Sequence, residues 1–311
     1  MTEPGYSLLM YLFHVFHISF QGFLCIAYAF TIGTVSWFIK SHTPNFALCL
    51  GLYAVFPYCI DAVQLRNTIA FSICLIGIHY LIRERGRRKY WIFIFSVLMA
   101  STFHFSAILF LMLLVPYFLD GKECVFFTAV GMLILGGFTN KGILESIIGI
   151  FVGDEKAIQV IERIQNSGYT NRNIYIMLFV IVASAFIIFA CLMIALENQK
   201  LEIRNGVNVE YEAGYNKVLS FFIKAIVVSL LMLPLVFWSL DIYRIQRYLL
   251  ILGCVGMTIY DVIPSRVRFM QKKAYYVLLF LAALALFYLQ IIKLNNCAGT
   301  FQSLLEYNRF L

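Results

Sequence analysis

Nine apolar runs follow one another along this chain, at 20–39, 45–60, 64–82, 90–119, 124–139, 173–195, 218–240, 243–263 and 274–292. About 20 apolar residues make a helix long enough to cross the hydrocarbon of a bilayer. The runs are continuous rather than alternating, which excludes an outer-membrane barrel. Composition agrees: hydrophobic types are 62% and charged types 13% of the 311 residues, against about half and about a quarter in soluble domains. No single core could hide that surplus. A soluble enzyme, a disordered chain and a disulfide-stapled scaffold are all excluded. The expected fold is all-α, a polytopic transmembrane helical bundle of roughly 8–10 spans. Residues 1–311 are expected to form a single integral membrane domain, with no internal repeat. The N-terminus lacks a basic segment and a small-residue cleavage site, so no secretory signal is expected.

Charge sets the orientation. Basic residues resist translocation and collect in cytoplasmic loops. Arg83, Arg85, Arg87, Arg88 and Lys89 mark one such loop at 83–89, and Arg266, Arg268, Lys272 and Lys273 mark another at 264–273. Arg66, Asp241, Tyr243, Arg244 and Arg247 then fall at the outer face. The segment 140–172 becomes an extracytoplasmic loop, with a short amphipathic helix at 153–165. The run 90–119 is too long for one upright span and too short for two. The topology closes if this run breaks near Phe103-His104-Phe105 into a re-entrant pair of half-length helices. The cytoplasmic segments then carry 14 basic residues and the outer segments nine, with Lys224 snorkelling inward from within a span. The net charge of +8 is thereby explained by topology, and no nucleic-acid partner is expected.

Three places at the outer face could carry chemistry. Asp61, Gln64 and Arg66 open the span 64–82. An Arg at a helix N-terminus opposes the dipole, but beside free amides it suits a phosphate. Arg244 and Arg247 are spaced i, i+3 and share a helical face with Asp241, Tyr243 and Tyr248 nearby. Two guanidiniums on one face suit a diphosphate. His104 lies alone among aromatics at membrane depth, where an ionisable group points to a cavity and could orient a hydroxyl or act as general base. His14, His17 and His79 lack completing ligands, so no metal is expected. The eight cysteines show no metal spacing, and only Cys59 and Cys297 are placed where they could pair. No P-loop, dinucleotide fingerprint, G-x-S-x-G or D-x-D occurs, and no cofactor is expected.

At these residues the chain resembles the EpsG-like family of Wzy-type exopolysaccharide and capsule polymerases. Gln64-Leu-Arg66-Asn-Thr-Ile-Ala70 resembles the family's R-Q-x-x-A signature. The basic loop Arg83 to Lys89 and then Ala100-Ser-Thr-Phe-His104-Phe-Ser-Ala107 resemble its basic loop and A-S-x-F-H-x-S-A segment. Glu3-Pro4-Gly5-Tyr6 resembles its E-P-G-Y element, and Arg244 with Tyr248-Leu249 its R-x-x-x-Y-F element. The order is the family's and the matches cover most of the chain. An R-Y-x-x-G-x-D element that usually precedes E-P-G-Y is not found here, so a truncated or inactive member is one alternative.

The resemblance implies joining of oligosaccharide repeats carried on a polyisoprenyl diphosphate, giving exopolysaccharide, capsule or O-antigen. The setting is the outer face of the bacterial cytoplasmic membrane. Lipid-linked donor and acceptor are the implied partners, with membrane lipid, a flippase and a chain-length regulator. Arg66, Arg244 and Arg247 would neutralise the leaving diphosphate. His104, or a carboxylate among Glu3, Asp61 and Asp241, would activate the acceptor hydroxyl. Tyr6, Tyr11, Tyr58 and Tyr243 would stack on sugars. A transporter or flippase of lipid-linked glycans is the alternative from another class.

Overall fold

The computed structural model describes residues 3–55, 58, 64–137, 171–204, 209–236, 242–259 and 269–289. Asp61, Asp241, Cys59, Cys297 and the expected amphipathic helix at 153–165 lie outside them. Among the described residues the regular structure is helical throughout. Within those residues four stretches are long and apolar enough to cross a membrane: Phe20–His42, Leu65–Arg83, Tyr175–Glu197 and Lys217–Leu235. Shorter apolar helices complete the bundle at Phe46–Val55, Phe105–Phe118, Tyr248–Thr258 and Lys273–Phe287. The chain is a multi-pass membrane protein.

In chain order the first elements are α1 (Pro4–Val15), α2 (Phe20–His42), α3 (Phe46–Val55), α4 (Leu65–Arg83) and α5 (Arg88–Phe103). A 3-10 segment (Phe105–Leu113), α6 (Leu114–Phe118) and α7 (Gly121–Gly137) follow. The last are α8 (Asn171–Arg204), α9 (Val209–Ser229), α10 (Met232–Leu235), α11 (Ile242–Thr258) and α12 (Phe269–Phe287).

The helices share two ends. At one, Arg83 donates to the carbonyl of Ser41, and His79 Nδ1 lies 3.2 Å from His42 Nε2. Thr43 Oγ1 and Asn45 Nδ2 donate to the Thr258 carbonyl at 3.0 and 2.9 Å, and Tyr275 donates to that of Met257 at 2.7 Å. The C-terminal ends of α2, α4 and α11 and the N-terminal ends of α3 and α12 therefore meet there. Ile188 packs beside Gly253 and Leu192 beside Gly256, so α8 runs parallel to α11. These directions agree with the crossings inferred from the basic loops.

α4 and the stretch Lys217–Leu235 are the most buried of the membrane-length helices among the described residues. The membrane-length window of α4 is 67% buried, against 39% for α2, which therefore lies at the periphery. Phe71, Leu75 and Ile78 of α4 lie in one buried cluster with Phe93 and Val97 of α5 and Leu249 and Leu252 of α11. Burial between helices gains little hydrophobic free energy when the alternative is lipid, so close contact at small residues matters more. Gly77 of α4 against Ser96 of α5 is such a contact. The connection between these two helices turns at Gly86, whose φ of 86° lies in the left-handed region that a Cβ disfavours.

The expected break in the run 90–119 falls on His104. α5 stops at Phe103, and His104 takes extended backbone angles of φ −153° and ψ 114°. The chain then returns to where α5 began. Lys89 Nζ donates to Tyr117 Oη at 2.5 Å, and the Tyr90 ring stacks on Phe118 at 5.2 Å between centroids. The outgoing 16 residues measure roughly 24 Å and the returning 14 roughly 25 Å, because nine of them are wound as a 3-10 helix. Matched stems make a hairpin with His104 at its tip. The expected break is there, but the stems are nearly as long as α4 rather than half-length, and the tip reaches the Arg66 end of the bundle.

Candidate functional site

The tip of the hairpin meets the N-terminus of α1 and the N-terminus of α4. Glu3 is the N-cap of α1, in extended conformation, and Pro4 follows it at the start of the helix. Pro is well placed there because its missing N–H would have no helical partner anyway. The Glu3 carbonyl accepts from Ser7 N–H at 2.9 Å, while its carboxylate takes no part in capping. The carboxylate is thus free to reach across. Oε1 lies 2.7 Å from His104 Nδ1, and Oε2 accepts from Arg66 Nη1 at 3.1 Å. One carboxylate joins residues from three helices.

The rest of E-P-G-Y serves the same junction. Gly5 sits against Thr102 of α5, so closely that a Cβ there would overlap Thr102 Oγ1. Tyr6 lies beneath the Arg66 guanidinium, 5.6 Å from its ring centroid, and edge-on to the buried Phe23. Phe23, Ala27 and Ile69 form the small core on which Tyr6, Leu9 and Phe13 of α1 rest. Gly5→Ala is expected to push α1 off α5, at a cost of about 1–3 kcal/mol from overpacking. The check is thermal unfolding of the purified protein, where Thr102→Ala in the same chain should recover part of the loss. Unchanged unfolding in Gly5→Ala would show that the contact is slack.

The electrostatics are asymmetric. Glu3 and His104 are 16% and 21% exposed in their side chains, whereas Arg66 is 58% exposed. An exposed ion pair adds little stability, so Arg66 is held in direction and still open to a ligand. His104 Nε2 and Ser106 Oγ are buried and lack hydrogen-bond partners among the described residues. Buried polar atoms without partners are uncommon, and each asks for an explanation. In the tautomer whose Nδ1–H donates to the Glu3 carboxylate, the imidazole carries its lone pair on Nε2. The result is an imidazole oriented by a carboxylate, with its second nitrogen buried and without a partner among the described residues.

Sequence reasoning named all of Glu3, Tyr6, Arg66 and His104, and the structure brings them together. Gln64 lies at the edge: its carbonyl caps α4 by accepting from Thr68 N–H at 3.0 Å, and its side chain accepts from Asn67 Nδ2 at 3.2 Å. Arg66 pairs with Glu3, and Asp61 lies outside the described residues. Tyr248, expected to bind substrate, is 4% exposed, stacked on Phe71 at 4.6 Å and 3.4 Å from Thr68 Oγ1. It ties α11 to α4 one helical turn from the Arg66 level. Tyr243, Arg244 and Arg247 occupy the first turns of α11, and Arg244 lies one turn before Tyr248. The backbone of that turn therefore flanks the N-terminus of α4. Three residues of this junction escaped the sequence reading: Gly5 and Thr102, whose contact joins α1 to α5, and Ser106. Their presence inside the motifs was the available signal. No group of three or more His, Cys, Asp or Glu side chains placed to hold a metal occurs among the described residues.

No curated protein and no solved structure matches this chain. The EpsG family profile matches residues 1–308. The chain belongs to the EpsG family.

Proposed function

We propose that the protein joins oligosaccharide repeats carried on a polyisoprenyl diphosphate into a polysaccharide, at the outer face of the bacterial cytoplasmic membrane. Membership of the EpsG family supports a general role in polysaccharide polymerisation. The observation that carries the finer reading is the Glu3 carboxylate shared between His104 and Arg66. It couples a base to a cation at one end of a membrane bundle, the pairing that transfer from a diphosphate leaving group requires. His104 Nε2 takes the proton of the acceptor hydroxyl as its oxygen attacks the anomeric carbon. The bond from that carbon to the diphosphate oxygen breaks, and Arg66 stabilises the charge that develops there. Arg244 and Arg247, from the first turns of α11, add positive charge for the same diphosphate. Tyr6, beneath the Arg66 guanidinium, offers an aromatic face for a sugar ring, with Glu3 at the centre of the junction and Gln64 at its edge. Basic residues at the opposite end of the bundle support an outer-side position for the junction.

A reconstituted assay separates this from the flippase alternative. The purified chain in vesicles, given a synthetic lipid-linked repeat, is expected to release polyisoprenyl diphosphate and to form products longer than one repeat. A chelator is expected to leave the rate unchanged. Movement of the repeat across the bilayer without lengthening would overturn the proposal.

A further inference from the structure

We infer that the Arg83 end of the bundle holds a binding site for the phosphate of an anionic phospholipid, framed by Lys217, Ser220, Lys224 and Tyr117. A cavity of about 100 Å³ opens there, lined also by Ile82, Pro116 and Phe221. One water needs roughly 10–15 Å³ by such a measure, so a polyatomic anion fits. Lys217, Ser220 and Lys224 recur at i, i+3 and i+7, which places them on one face of α9. That face looks onto the returning stem of the hairpin, where α6 supplies Pro116 and Tyr117.

Lys224 Nζ spends one N–H on the Leu119 carbonyl at 2.8 Å, leaving two donors. Neither Lys217 nor Lys224 has an ion pair among the described residues. Lys89 brings a third ammonium behind the wall, donating to Tyr117 Oη at 2.5 Å. No carboxylate lines the cavity. Asp120 and Glu123, on the turn past Leu119, are engaged in capping α7, each accepting from the other's backbone N–H at 2.9 Å. The Lys224 backbone, seven residues into the apolar stretch Lys217–Leu235, lies roughly 10 Å inside its end, and its four-carbon stem can carry the ammonium back toward the level of the lipid phosphates. Ile82, Pro116 and Phe221 offer apolar wall beside the cations, and Phe118 is exposed next to them. Basic pockets between membrane helices on the side of the basic loops suit anionic headgroups. This site is independent of the chemistry proposed at the opposite end.

The test is native mass spectrometry of the purified full chain in detergent, with phosphatidylglycerol or phosphatidylcholine added in equal amounts. Phosphatidylglycerol is expected to be retained preferentially. Lys217→Gln, at an exposed position, should weaken that retention roughly fivefold, and Lys217→Gln with Lys224→Gln roughly 25-fold. Lys224→Arg keeps the charge and should retain the lipid, which guards against misfolding as the cause. Millimolar inorganic phosphate should displace bound phosphatidylglycerol. Equal retention of both lipids, or retention indifferent to the lysines, would overturn the inference. So would phosphate binding at these lysines with no lipid held.

Discussion

Arg66→Ala is expected to abolish polymer and to leave single lipid-linked repeats accumulating in the membrane. Arg66 is the exposed member of the Glu3 triad, stacked over Tyr6 and aimed outward. In the proposed reaction the charge at the diphosphate grows as the glycosidic bond breaks, so its stabilisation falls in the transition state. Removing one such donor costs about 10²–10³ in rate, enough to end chains before the second addition. Arg66→Lys keeps one charge but loses the planar fork that grips two phosphate oxygens, and rescue should be poor. Arg244→Ala is expected to act in the same direction. Cells carrying each variant can be compared by polymer length on gels and by the pool of unpolymerised repeats. Normal polymer in both alanine variants would remove the diphosphate role.

The second large effect concerns Glu3 and His104 as one unit. Glu3→Gln and His104→Ala should each lower turnover of a lipid-linked repeat by about 10²–10⁴, the usual worth of a positioned base. An amide still contacts Nδ1 but offers no negative charge to favour imidazolium formation. If Glu3 acts through His104, the double variant should be hardly slower than His104→Ala alone, because groups that work together are not additive. The cycle is read in vesicles at saturating substrate, with Glu3→Asp as a partial rescue. Fully multiplied losses in the double variant would show the two residues working separately. Since Glu3 also steadies Arg66, a small additive remainder is expected from that contact.

Much of this site was legible because membrane chains carry few charges. Arg66 stood out because a cation at a helix N-terminus needs a reason, and the Glu3 carboxylate provides it. His104 stood out because a 30-residue apolar run fits no whole number of spans, and the structure breaks there. The link between them was not legible. Glu3 and His104 are 101 positions apart, and no periodicity spans such a separation. Sequence reasoning therefore treated the carboxylate and the imidazole as competing bases, where the fold makes them partners. Tyr248 illustrates the opposite case. It shares a helical face with Arg244, so the motif alone cannot tell a residue that meets substrate from one that anchors the helix to Thr68 and Phe71. Lys89, Lys217 and Lys224 were read as topology, since their convergence depends on α9 docking against a hairpin.

The two stems of that hairpin are wound differently, and the difference acts as a ruler. Nine residues in the returning stem rise by roughly 2.0 Å each instead of roughly 1.5 Å. Rewinding them as α-helix would shorten the path by about 4–5 Å. Tyr117 is held by Lys89 at the base, so the shortfall would fall on the imidazole at the tip. The distance of the His104 imidazole from the base of the hairpin is thus written in the pitch of Phe105–Leu113, and substitutions there would retune its reach while leaving every residue of the junction in place.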